Sequence, residues 1–233
     1  MYKKSESWKM FNQIAKTYDL LNNVLSLGIH NKWKKKISTF FPNRSNLNIL
    51  DIATGTGDVI FSIMDRREKD VSKIQGMDLS TDMMAIGKQK CDKKSYKQKV
   101  SFLEGDACNI PFNDDSFDVI TISFGIRNVA NYKKALIEMK RSIKPEGKLI
   151  ILESSIPSFF LIKWFYLLYF RYILPYVGGL ISGKRDAYHY LNKTTEQFPS
   201  GNVFKSILTD SGFKNVKVKP LAFGISSIYV AEK

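Results

Sequence analysis

Cysteine is scarce in this chain of 233 residues: only Cys91 and Cys108 are present. Two thiols exclude a disulfide framework and a four-cysteine zinc site, and they fit a reducing compartment. Histidine is rarer than usual as well, at two residues, and no His/Cys/Asp/Glu run has the spacing of a metal site. The N-terminal stretch MYKKSESWKMF contains no apolar segment, so no signal peptide is expected. Acidic residues are outnumbered, 22 against 36 Lys and Arg, which leaves a net charge of +14. Half of that excess lies in residues 1–44, where nine cations face only Glu6 and Asp19. Such a segment suits an anionic membrane surface or nucleic acid, and solvated lysines explain it equally well.

What is present is ordinary for a globular protein: 44% hydrophobic and 25% charged residues, with no repeat and no low-complexity block. From Leu47 onward, buried-strand patterns alternate with helical ones. LNILDIA (47–53), KIQGMDL (73–79), VSFLE (100–104), FDVITISF (117–124) and KLIILE (148–153) read as strands. Helices are expected near 58–67, 81–90 and 132–142. This alternation predicts an α/β fold with a doubly wound parallel sheet. A helix at 203–211 and a strand pair at 216–221 and 225–231 follow. The chain thus divides into an N-terminal helical cap (1–46), a core (47–154), an aromatic helical segment (155–200) and a C-terminal helix with two strands (201–233), all within one domain.

The first strand runs into DIATGTGD (51–58), a strand–turn–helix junction that brings backbone N–H groups near a ligand. The third small residue of a dinucleotide fingerprint is missing, because position 60 is Ile. Asp78 ends the second strand, Asp106 follows the third, and NIPFNDDSFD leads into the fourth. In this order the elements resemble class I S-adenosylmethionine-dependent methyltransferases, whose Rossmann-like sheet has seven strands. The resemblance implies that Asp51, Gly55, Thr56 and Gly57 flank the methionine part of the cofactor. It assigns Asp78 to the ribose, Asp106 and Ala107 to the adenine, and Ser123 to the side of the site. Ala53 stands where the family usually has Gly, so a shifted backbone is expected there.

Enzymes that methylate exocyclic base amines carry an acid or Asn, two prolines and an aromatic after the fourth strand. SFGIRN (123–128) departs from that pattern, and Cys108 lies in the wrong loop for a cytosine C5 nucleophile. Nucleic acid is therefore not expected as substrate or partner. YDLLNNVLSLGIHNKW (18–33), SFGIRNV (123–129), RSIKPEGKLIILESS (141–155) and AYHYLNKTTEQFP (187–199) together closely resemble the ubiquinone/menaquinone biosynthesis C-methyltransferase family (UbiE/MenG). Two departures, Glu146-Gly147 for Gly-Gly and Leu191-Asn192 for Leu-Pro, are expected in turns or loops.

That resemblance implies transfer of a methyl group from S-adenosyl-L-methionine to a ring carbon of a polyprenylated quinol, without a metal. Demethylmenaquinol is the leading substrate; the benzoquinol of ubiquinone synthesis and another lipid-like small molecule are the alternatives. A cytoplasmic protein peripheral to the inner face of the cell membrane follows from it. A ring hydroxyl has a pKa near 10, so the site must supply a base, a cation or both. Arg127, just past the fourth strand, is the candidate cation, with a structural ion pair as its competing reading. His30 is the natural titrating group, or else a packing residue. Asp19 could orient that histidine, take the proton itself, or cap a helix. Tyr18 could hydrogen-bond the quinol or pack, and His189 is expected to be exposed.

The stretch from Phe159 to Tyr176 holds nine aromatic residues in eighteen. Lys163 and Arg171 leave only seven uninterrupted residues between them, far short of the roughly 20 that span a bilayer. At about 100° per residue those cations lie roughly 80° apart, giving one basic stripe and a broad aromatic face. A lid helix that meets a membrane is the expectation, with a core helix as the alternative; the aromatic surface would also suit a homodimer.

Overall fold

The computed structural model describes residues 3–233. Seven strands form one sheet: β1 (Leu47–Ile52), β2 (Val71–Asp78), β3 (Val100–Glu104), β4 (Phe117–Ser123), β5 (Ile143–Ser154), β6 (Lys214–Leu221) and β7 (Ser226–Glu232). Their order is β3-β2-β1-β4-β5-β7-β6; the first five run parallel and β7 pairs antiparallel with both β5 and β6. Chain order reverses between β1 and β4, which opens a crevice at the carboxyl ends of those strands.

Helices α3 (Asp58–Arg67), α4 (Thr81–Cys91) and α5 (Tyr132–Ser142) supply the crossovers, and α9 (Gly201–Asp210) precedes the terminal strand pair. Ile49, Ile74, Val119 and Ile150 face α3 on one side of the sheet, whereas Leu50, Ile120, Leu149 and Ile151 face α5 and α9 on the other. Strict alternation along buried strands produces these two cores. A third cluster, built on Met10, Ile14, Leu21, Leu174, Tyr188 and Tyr190, joins α1 (Ser7–Leu25) to α7 (Leu174–Ser182) and α8 (Arg185–Gln197).

Ile60, the residue that breaks the dinucleotide fingerprint, is fully buried against β2. A Cβ on Gly76 would come within 2.8 Å of its Cδ1. The small residue that allows close helix–sheet approach therefore sits on the strand instead of the helix. The expected elements correspond to observed ones, with ends moved by a few residues.

The two departures expected in turns or loops lie instead within a helix and the span of a strand. Leu191-Asn192 lies within α8, where the Asn192 side chain donates to the Phe170 carbonyl. Glu146-Gly147 lies inside the span of β5, as an irregular insertion: Ile143 pairs with Phe117 and Lys148 with Val119. There Glu146 takes φ 62°, a left-handed conformation that suits glycine better. The aromatic stretch is also not one regular helix. It comprises α6 (Phe160–Leu168), a π turn (Tyr169–Ile173) and α7. The wider turn changes the angle between Lys163 and Arg171, and Arg171 is tied to Glu196 by two bonds of 2.9 and 2.8 Å. No described helix is long and apolar enough to cross a membrane.

Candidate functional site

Two cavities meet at the crevice. The smaller, about 190 Å³, lies over the ends of β1, β2 and β3 and is lined by Asp78, Ser80, Met83, Asp106, Ala107 and Asn128, among others. The larger, about 520 Å³, lies between α1, α2 (Ile29–Ile37) and the aromatic segment, with His30, Trp33, Arg127, Tyr166 and Tyr188 in its wall. Phe11, Tyr18, Ala53, Gly55, Ser123 and Phe124 belong to both walls. A ligand in the smaller cavity would therefore face one in the larger across this shared rim.

The strand ends make the rim by adopting unusual backbone. Ala53 has φ 52° and Phe124 φ 55°, and both follow directly from β1 and β4. Non-glycine residues there cost roughly 1–3 kcal/mol each and concentrate at functional sites. A Cβ on Gly125 would lie 2.4 Å from the Ala53 Cβ, so Gly125 provides the room that Ala53 needs.

In the smaller cavity the Asp78 carboxylate accepts from Gly55 N and Ser80 N, both at 2.8 Å. Burial raises its pKa against those bonds. Each oxygen keeps a second lone pair for a ligand hydroxyl. Asp106 Oδ1 accepts from Cys108 N at 2.9 Å. Helix α1 roofs this cavity: Asn12 Oδ1 lies 2.5 Å from Ser80 Oγ and 3.3 Å from Asp82 N. Asp51 is in neither wall. It lies beneath the loop, accepting from Thr121 Oγ1 at 2.5 Å and Thr54 Oγ1 at 2.7 Å, and burial lifts its pKa to about 6. Gly57, at φ 80°, is the N-cap of α3 and lines neither cavity, whereas Thr56 lines the larger one. Two carboxylates, a methionine and close-approaching backbone suit a polar nucleoside carrying a cationic sulfur.

In the larger cavity His30 is 6% exposed, and its pKa falls to about 4 through burial and the nearby Lys34 cation. It is therefore neutral across the physiological range. Tyr18 is pushed the other way, to about 12, again chiefly by burial, and remains a phenol. Arg127 N-η1 donates to Glu153 Oε1 at 2.5 Å and to Phe124 O at 2.8 Å, and the pair's side chains are almost fully buried. Its Nε–H has no partner among the described residues. Arg127 thus both lines the cavity and forms the structural ion pair.

Asp19 makes no hydrogen bond to His30 and does not cap a helix. It lies within α1, away from the helix N-terminus, and its oxygens meet Thr56 Oγ1 at 2.7 Å and Lys90 Nζ at 2.6 Å. Lys90 continues to Asp58 at 3.0 Å, and Asp58 to Lys34 at 2.9 Å. This network fastens α1 and α2 onto the Gly55 loop, and it was hidden in the sequence because its members are up to 71 residues apart. His189 is exposed, as expected. Glu153, Met83 and Tyr166 were not expected at the site, since each joins it only through a contact across the fold. Ser26, inside the 18–33 stretch, meets His30 only four residues away. No cluster of three potential metal ligands occurs among the described residues.

Comparison with known proteins bears on this arrangement. The model of the ubiE/COQ5 methyltransferase family matches residues 1–233. A protein of Geotalea daltonii named ubiquinone/menaquinone biosynthesis C-methyltransferase UbiE is 45% identical over 225 residues, covering 97% of this chain and 95% of that protein. A demethylmenaquinone methyltransferase of Bacteroides fragilis is 40% identical over 232 residues, covering 99% and 94%. Among solved structures, a SAM-dependent methyltransferase of Thermotoga maritima aligns with TM-score 0.68 at 19% identity over 97% of this chain and 99% of that one. That likeness concerns the fold.

Proposed function

We propose, for a chain that belongs to the ubiE/COQ5 methyltransferase family, methylation of demethylmenaquinol at a ring carbon to give menaquinol. The chain is an S-adenosyl-L-methionine-dependent C-methyltransferase of quinone biosynthesis. The observation that carries the detailed reading is the shared rim between a small cavity that holds two carboxylates and a large, mostly aromatic and aliphatic one. S-adenosyl-L-methionine, when bound, supplies a sulfonium methyl group to the attacking ring carbon and leaves as a neutral thioether.

Asp78 holds the ribose hydroxyls, Asp106 and Ala107 the adenine end, and Gly55 with Ser123 the methionine end. Asp51 acts from below, by fixing Thr54 and Thr121. In the larger cavity Tyr18 and Trp33 border the quinol ring, and Phe170, Ile173 and Val177 enclose the start of its prenyl tail. His30 accepts the hydrogen bond of the ring hydroxyl. An imidazole with so low a pKa cannot ionise a free phenol, but the hydroxyl becomes strongly acidic as its ring carbon takes the methyl group. His30 receives that proton then and returns it to the ring oxygen as the hydrogen on the methylated ring carbon leaves to solvent, so that the quinol is restored and one proton is released overall. Arg127 lines the same cavity and donates a hydrogen bond to the ring oxygen as that oxygen gives up its proton.

The cavity mouth belongs to the membrane. Val24, Leu27, Ile29 and Ile173 line the cavity and are also exposed, Leu27 to 86%. Phe160, Trp164, Phe165 and Tyr172 continue the apolar surface, and exposed Lys16, Lys32, Lys35, Lys36 and Lys163 add cations on the same helices. Such a combination favours an anionic bilayer, from which a polyprenyl substrate would enter laterally.

The test is methyl transfer from labelled S-adenosyl-L-methionine to reduced demethylmenaquinol and to 2-methoxy-6-polyprenyl-1,4-benzoquinol in detergent. Preferred turnover of the naphthoquinol is expected. Preference for the benzoquinol would move the protein to the ubiquinone branch, a reading favoured by the double name of the Geotalea relative. Turnover of neither, with cofactor bound, would contradict the quinol assignment.

A further inference from the structure

We propose that Ser26 is a positioning residue for His30, holding its imidazole in the Nδ1–H tautomer so that Nε2 presents a lone pair to the quinol hydroxyl. This rests on reading the larger cavity as the quinol site. Ser26 Oγ stands 2.6 Å from the Asn22 carbonyl oxygen and 2.6 Å from His30 Nδ1. A carbonyl only accepts, so the single hydroxyl proton goes to Asn22. The serine oxygen is then the acceptor in its contact with His30, and Nδ1 must carry the hydrogen. The remaining nitrogen, Nε2, is unprotonated.

The backbone is built to hold this contact. Ser26 is the C-cap of α1, with its own N–H on Asn22 O at 3.1 Å. Leu27 and Gly28 then turn at φ 49° and 71°, and Gly28 N returns to Asn23 O at 2.9 Å. This tight left-handed reversal starts α2 at Ile29 and puts His30 in its first turn. There the positive end of the helix disfavours an imidazolium, as does Lys34 one turn further on. The other charged groups near the imidazole, Asp58 and Asp19, are engaged with Lys34, Lys90 and Thr56. Nothing charged therefore competes with Ser26 for Nδ1. A solvated histidine side chain favours the opposite tautomer, which would aim an N–H at the substrate hydroxyl and remove the acceptor.

The chain has two histidines, so two-bond ¹⁵N–¹H correlation spectra of ¹⁵N-histidine-labelled protein identify each ring directly, with His189→Gln for assignment. His30 is expected to show Nδ1–H and an unprotonated Nε2 in the wild type. In Ser26→Ala the Nδ1–H preference is lost, and kcat falls about 10-fold or more with KM unchanged, within the roughly 10²–10⁴-fold value of general acid–base catalysis. Ser26→Thr, which keeps the hydroxyl, restores both. Nε2–H in the wild type would overturn the proposal, as would Ser26→Ala keeping both tautomer and kcat, with thermal melts confirming that the variant is folded. The spectra need no substrate. An Nδ1–H wild type that methylates no quinol would instead contradict the function proposed for the cavity.

Discussion

His30 and Asp51 carry pKa shifts of opposite consequence. His30 is lowered from 6.5 to about 4, so the unfolded chain takes up a proton there that the folded chain refuses. Its neutral burial therefore favours folding above pH 6.5, and that contribution is lost as pH falls from 6.5 toward 4. Asp51 is raised from 3.8 to about 6, so the folded chain binds the proton first and acidification over this range favours folding. The two oppose each other between about pH 4 and 6. Melting curves should show His30→Gln gaining stability relative to wild type as pH falls through this window, and Asp51→Asn losing it. The acid limb of the wild-type rate profile should likewise lie well below 6.5. Backbone strain gives a second residue-level expectation. Gly125→Ala should cost about 1–3 kcal/mol by overpacking against Ala53, and adding Ala53→Gly should return much of it, as measured by denaturant unfolding. The sequence announced that Ala53 replaces a glycine and that Asp78 ends its strand. It could not announce that Asp51 faces away from both cavities or that Asp19 meets Thr56, because those facts depend on side-chain direction.

The elements were the most legible level. Helices at 58–67 and 132–142 have the expected bounds, since capping and periodicity agree locally; Asn131 Oδ1, for example, caps α5 by accepting from Lys134 N at 3.0 Å. The aromatic segment was harder, because a π turn leaves no trace in hydrophobic spacing. Its helices α7 and α8 meet at Gly178, where a Cβ would lie 2.6 Å from the Tyr188 ring, and Tyr169 Oη, which donates to Leu25 O at 2.5 Å, ties the segment to α1. Tyr188 also lines the larger cavity. Gly178→Ala should therefore spread α7 from α8 and raise KM for the quinol several-fold, while cofactor affinity measured by calorimetry stays unchanged. Asp78→Ala is the converse case. Loss of hydrogen bonds to a charged group, worth about 1.5–3 kcal/mol, should weaken cofactor binding roughly 10–100-fold.

At the scale of the whole molecule, a net charge of +14 stands beside an exposed aromatic mouth, a combination expected to bind anionic lipid. Sedimentation with vesicles containing anionic lipid should retain the wild type, with binding reduced in 0.5 M salt and lost in a Trp164→Glu, Phe165→Glu variant that keeps its melting temperature. On the proposed reading, association at the mouth would deliver the quinol to a cavity that shares a rim with the cofactor's, so that carbon, not oxygen, would meet the methyl group while His30 engages the hydroxyl. The most direct test of that arrangement is the position of the transferred methyl. With ¹³C-methyl S-adenosyl-L-methionine and demethylmenaquinol, NMR of the product should show the label on a ring carbon and no methyl ether. A labelled O-methyl product, or bound cofactor with no transfer at all, would contradict it.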